Sequence, residues 1–349
     1  MKTWRSALCV AVLASLAGCS QSEDAAPASG EAPVARSTSP YCPADPGTAP
    51  SGELTAQRIA AAQPTDDKPR LYEGPVWHEG SLYYSDFVLD PQFRSRIQRF
   101  TPPDQMETAI INSGSNGLAL DPQGRIVAAT HDRKELSRYD TTHRSRERIV
   151  GQYQNNAFNS PNDLVIAQDG TIYFTDPDFQ RSASLGGQDR TRVYRYAGGE
   201  VSVVDDTIAN PNGIALSPAG DVLYVAGGGD NGVLRSYPLT DGVPGKGTGL
   251  TKTAVPDGMA VDCLGNIYLT EHNQRRVRVL SPSGAELASI KVDANITNAA
   301  FGGPAMKTLY LTTAREGMTP ADAEAQPNAG GVFSIRTDVA GLAEPFITL

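Results

Sequence analysis

Short apolar runs alternate with polar punctuation along most of the chain. The stretch PNGIALSPAGDVLYV, from Pro211 to Val225, shows the rule. A Pro-Asx-Gly opening leads into an apolar run, a turn ending in Gly, and a second apolar run. The same phrase returns as PDGMAVDCLGNIYLT from Pro256. Six copies can be aligned, opening at Glu73, Asn116, Asn162, Asn212, Asp257 and Asn298, with steps of 43, 46, 50, 45 and 41 residues. In the second to fifth copies the turn glycine lies eight residues after the opening residue, at Gly124, Gly170, Gly220 and Gly265. The runs are short, rich in β-branched and aromatic residues, and bounded by Gly, Pro, Asn or Asp. That composition predicts strands. A period near 45 with several antiparallel strands per copy predicts propeller blades, each unable to bury its own apolar faces alone. The expected fold is all-β: a six-bladed β-propeller with antiparallel four-stranded blades around a central metal-binding channel, over residues 52–349. The segment before Leu71 and the late strand VFSIRTD are expected to share a blade and close the ring.

The six opening residues should ring one mouth of the channel, and each carries a side-chain oxygen. Taken singly, Asn-Gly and Asp-Gly suit turns, because these residues tolerate left-handed backbone angles. Taken together, two carboxylates and four amides suit a hard divalent cation. Calcium accepts six to eight oxygens of mixed type, whereas zinc prefers His or Cys. The chain has only four His, and no HExxH array. Two carboxylates in a narrow channel would otherwise repel, leaving one protonated. Groups just after each second apolar run should return to the same mouth. They include Asp86, His131, Asp176, Asp230, Glu271 with His272, and Arg315. Three long connections, VLDPQFRS, PDFQRSASLGGQDR and REGMTPADAEAQPNAG, are placed to roof a pocket.

The start of the chain reads differently. Lys2 and Arg5 precede an apolar run from Ala7 to Leu16, followed by LAGC. This is the pattern of a secretory leader over residues 1–18, too short to span a bilayer. LAGC resembles the bacterial lipoprotein box, which implies lipidation at Cys19. Ser20 after it fits the outer membrane. Residues 19–51 are rich in Ala, Pro, Ser and Gly and read as a flexible tether. The expected location is the cell envelope, lipid-anchored on the periplasmic face of the outer membrane. Without Lys2 and Arg5, 28 basic residues face 39 acidic ones. With no basic cluster, nucleic acid is a poor partner, and membrane contact is expected only through the lipid anchor. A monomer is expected. Cys42 and Cys263 remain, either as one disulfide or as two free thiols.

The motifs EGPVW, SPND, PNG, PDGMAVD with GNIYLT, and GGP with KTLYLT resemble the family of senescence marker protein (regucalcin), gluconolactonase and luciferin-regenerating enzyme. The resemblance runs in order over nearly the whole repeat region. It implies a propeller lactonase that uses a divalent metal, usually Ca²⁺, on a small-molecule lactone. It implies metal ligands at Glu73, Asn162, Asn212 and Asp257, with Asn162 also facing substrate. It leaves Asn116 and Asn298 to line the pocket, joined by Asp176, and makes Asp257 the usual base. Related calcium propellers imply a catalytic role for His131. One position departs from the pattern: Ala157 stands where bacterial relatives usually carry Arg. That weakens the case for a sugar-acid lactone. The other readings are a calcium-dependent esterase or phosphotriesterase, and a non-catalytic binding propeller of the envelope.

Overall fold

The computed structural model describes residues 39–64, 66, 68–142, 145–316 and 329–343. The leader, Cys19, the first part of the tether and most of the sixth-repeat loop lie outside the described residues. Among those described there is no α-helix, only four three-residue 3₁₀ turns.

The strands fall into successive antiparallel groups, each joined by tight turns. The first group runs Arg70–His78, Ser81–Val88, Ser95–Thr101 and Gln105–Ile110. The next opens with Ser115–Leu120, and a third with Leu164–Ile166. Pro211–Leu216, Pro256–Val261 and Asn295–Gly302 open the remaining three. The opening strand of each group lies against the opening strand of the next, and Asn295–Gly302 lies against Arg70–His78, so the contacts form a closed cycle. Gln57–Arg58 pairs antiparallel with Gly331–Arg336, which brings the two ends of the domain into one sheet.

The core lies between neighbouring sheets. Val76, Ile97, Leu118, Ala128 and Tyr139 form one buried cluster between the first two groups. Phe158, Phe174, Tyr194, Ala119 and Val127 form the next. A strand whose two faces both meet neighbours has to read as a nearly continuous apolar run, and Ile126–Thr130 (IVAAT) does so, every residue buried.

The opening residues are not in turns. Glu73 and Asn298 sit within their strands, Asn116, Asn212 and Asp257 are second residues of theirs, and Asn162 just precedes Leu164–Ile166. In five groups the pairing register slips beside this position. Such bulges re-aim a side chain out of the regular pleat. The glycine that follows has a steric cause. A Cβ on Gly258 would lie 1.9 Å from Asn298 Cγ, and one on Gly117 would lie 2.6 Å from the Asn162 carbonyl oxygen. The inner strands converge too closely for side chains there.

Residues 39–51, expected to belong to the tether, are packed instead. Cys42 is disulfide-bonded to Cys263 in the turn of the fifth repeat. Tyr41 packs against the core cluster of the fifth and sixth groups, and the Pro46 carbonyl accepts a hydrogen bond from Ala340 N–H at 2.7 Å. Gly52–Thr55 then adds a parallel strand outside Glu286–Lys291. The Pro/Ala/Ser composition concealed this strap, because its hold comes from one covalent bond and from partners more than 100 residues away.

Candidate functional site

The bulged positions deliver their side chains to one end of the hub. All six opening residues are buried. A cavity of about 310 Å³ is lined by Glu73, Asn116, Asn162, Asn212 and Asp257, together with Gln180, Asn210, His272 and Glu316. Its other walls are apolar: Leu71, Phe87, Leu89, Phe93, Phe179 and Val255. The four expected metal ligands therefore share one chamber. Leu89 and Phe93 come from the first long connection and Phe179 and Gln180 from the second, so both reach the chamber.

Asn298 sits just beneath. Its amide donates to Glu73 Oε2 at 3.2 Å and to Asp163 Oδ2 at 3.3 Å. Asp163 was not foreseen. It occupies the slot that is glycine in four of the other repeats, and it is buried. Burial pushes its carboxyl up to about 7. Burial, reinforced by the carboxylates of Asp257 and Asp163, pushes Glu73 well above the usual range. Asp257 is raised by burial too, against the pull of its hydrogen bond from His272.

His272 is the second residue whose role the sequence did not disclose. Its Nδ1 lies 2.9 Å from the Ile296 carbonyl oxygen and 3.3 Å from Asp257 Oδ2, and its Nε2 lies 2.9 Å from Glu316 Oε2. Burial alone would lower its pKa, but the two carboxylates outweigh that and raise it to about 10. The imidazolium is thus held between Asp257 and Glu316 on the chamber wall.

Two expected site residues stand elsewhere. His131 is fully buried behind Phe87 and Phe93, edge-on to both rings. Its Nε2 bonds the Phe93 carbonyl at 2.6 Å, and burial lowers its pKa. It supports the chamber wall from behind and does not reach the interior. Asp176 is also withdrawn. Its carboxylate accepts the N–H groups of Asn159 and Ser160, each at 2.9 Å, and so fixes the segment leading to Asn162. The return of the second strand does bring these groups to the correct end. The bulky Phe87 and Phe93 and the folded-in Asn159–Ser160 segment then separate them from the chamber.

The donor set fits a hard divalent cation. Glu73, Asn162, Asn212 and Asp257 offer only oxygen ligands toward such an ion. Asn116 Oδ1 is buried without a hydrogen-bond partner among the described residues, and Glu73 accepts from the Gly74 N–H and the Asn298 amide. No Lys or Arg is among the described residues that line the chamber.

A family model described as SMP-30/Gluconolactonase/LRE-like region matches residues 71–315. The chain belongs to this family. Among its SMP-30/gluconolactonase/LRE-like relatives, a gluconolactonase from Zymomonas mobilis subsp. mobilis is 26% identical over 274 residues, 69% of this chain and 75% of the relative. A 6-deoxy-6-sulfogluconolactonase from Pseudomonas putida is 30% identical over 285 residues, 79% of this chain and 94% of the relative. The calcium-binding protein regucalcin from Agrobacterium tumefaciens has a similar structure, with a TM-score of 0.69 and 22% identity over 86% of this chain and all of that one. This likeness concerns the fold, which is all-β and of the regucalcin propeller kind. Both of these curated relatives are named as lactonases.

Proposed function

We propose that the chain is a calcium-dependent lactone hydrolase built as a six-bladed propeller of four-stranded blades, its active site at the hub. One observation carries this reading: four oxygen-bearing side chains from four different repeats line a single chamber in a member of a lactonase family. Glu73, Asn162, Asn212 and Asp257 would hold the ion. When bound, Ca²⁺ supplies Lewis-acid polarisation of the lactone carbonyl.

The remaining chemistry falls to the chain's own groups. Water adds to the carbonyl carbon, the ring C–O bond breaks, and one proton moves from the water to the ring oxygen. Asp257 is the group placed to hold that proton in transit, because its carboxylate lines the chamber beside His272. His272 keeps Asp257 oriented. Both ring nitrogens of His272 are engaged, with Asp257 and Ile296 on one side and Glu316 on the other. The Asn116 amide donates to Gln180 Oε1 at 3.4 Å, which leaves its own Oδ1 free toward substrate or water. His131 is assigned no proton. It holds the Phe93 backbone.

The leader and Cys19 support a lipid-anchored form in the cell envelope, facing the periplasm. The deciding test of the enzymatic reading is turnover of a lactone panel before and after chelation. Activity lost with chelator and restored by calcium is the expected result. Unchanged turnover after complete metal removal refutes the metal role, and no turnover of any lactone or ester in calcium favours a binding protein.

A further inference from the structure

The chamber has two unlike halves. One part of its lining is polar, and most of these groups are committed to one another or to the proposed ion. Four are the expected metal ligands, Asn210 Oδ1 accepts the Asp178 N–H at 3.0 Å, and His272 and Glu316 bond each other. A polyhydroxylated ring would find Asn116 Oδ1 and few other free partners there, and each of its buried hydroxyls left unpaired would carry a desolvation cost. The rest of the lining is mostly hydrocarbon: Phe87, Leu89, Phe93, Phe179, Leu71 and Val255.

This wall is also held still. His131 pins the Phe93 carbonyl from behind. The loop that carries Phe179 is fastened by the buried Lys134, whose Nζ donates to the carbonyls of Asn159, Arg181 and Gly186 at 2.7, 2.9 and 3.0 Å. Gln188 adds donors to the carbonyls of Tyr153, Asn156 and Ala157. Yet Phe179, which lines the chamber, is 44% exposed. A fastened loop that presents a large, partly exposed aromatic ring to the chamber suits an apolar ligand, since preorganisation lowers the cost of binding.

We infer that the substrate is a lactone bearing an apolar substituent, with the ring over the polar part of the lining and the substituent between Phe93 and Phe179. This deepens the lactonase reading and rests on it. Phe93 and Phe179 then determine specificity, because they touch the substituent and not the reacting carbonyl.

The test uses the full calcium-loaded chain and three probes: γ-nonalactone, γ-butyrolactone and glucono-1,5-lactone. A single methylene in an apolar pocket is worth about tenfold or more in discrimination. The expected kcat/KM for γ-nonalactone therefore exceeds that for each of the other two by at least about tenfold. F179A and F93A should each raise KM for γ-nonalactone about tenfold and leave γ-butyrolactone within about twofold. Preference for glucono-1,5-lactone, with γ-nonalactone no better than γ-butyrolactone, overturns the inference and leaves the lactonase reading intact. If no lactone is turned over, the lactonase reading falls. Calorimetry of γ-nonalactone binding to the chelator-treated chain then decides separately: binding that F179A abolishes upholds the apolar wall, and no binding to the native chain overturns it.

Discussion

Replacing Lys134 by Met tests how the chamber wall is kept in place. Lys134 is 1% exposed and its ammonium donates to three carbonyl oxygens, those of Asn159, Arg181 and Gly186. Met keeps the length and apolar bulk of the stem and removes all three donors. Hydrogen bonds to a charged group contribute about 1.5–3 kcal/mol each. The gross loss is therefore roughly 4.5–9 kcal/mol. Relief from burying an ammonium offsets part of this, so a net loss of about 3–5 kcal/mol is expected, as when one partner of a buried charged pair is removed. For a domain of this size that corresponds to a fall in Tm of roughly 10 °C. The loop should loosen before the sheets do, because its anchors are these carbonyls and the sheets have their own ladders. Calorimetry reads the first effect. Amide exchange in peptides covering residues 177–190 reads the second, and should accelerate while the strands stay protected. A variant that unfolds within about 1 °C of the native chain, with no faster exchange in the loop, would refute the reasoning.

Other outcomes follow from the same geometry. Asp257→Asn should keep the fold and lower kcat at least about 100-fold, and full activity with metal still bound would exclude Asp257 as the proton carrier. Gly258→Ala should destabilise by about 1–3 kcal/mol or more, because its Cβ would meet Asn298 Cγ at 1.9 Å; a stable variant with unaltered metal affinity would contradict the packing. Opening the Cys42–Cys263 bridge, which spans 221 residues, should cost up to about 5 kcal/mol, seen as a lower urea midpoint under reductant. Asp176 is raised by burial to about 7. The native chain therefore keeps that proton longer than the unfolded chain does. Stability from this group is full below about pH 4 and is lost as pH rises toward 7, and Asp176→Asn should flatten that part of the stability profile. A slope equal to that of the native chain would rule the group out.

The repeat, and with it the hub, was legible because one slot recurs with a side-chain oxygen and the next is mostly Gly. That glycine reads as a turn signal in a sequence. In the structure it answers a close approach of backbones, and only the three-dimensional convergence reveals the difference. Asp163 left a trace, as the one carboxylate in a series otherwise filled by Gly and Ala, but its pairing with Glu73 through Asn298 joins three separate repeats. His272 was legible as a strand-end residue returning to the mouth. Its work depends on Glu316, from the next repeat, and on the Ile296 carbonyl. His131 stood at the correct end and failed to reach the interior because Phe87 and Phe93 come between. Direction along a strand can be read from sequence, but depth behind neighbouring side chains cannot.

The seam where Gln57–Arg58 meets Gly331–Arg336 sets the order in which the molecule can be completed. The earliest-synthesised part of the barrel-like ring waits, unmatched, for nearly the last. Until both are present the circle stays open, so its closure depends on contacts of long sequence separation, which form slowly. Deleting Gln57–Arg58 or Gly331–Arg336 would therefore injure the same joint.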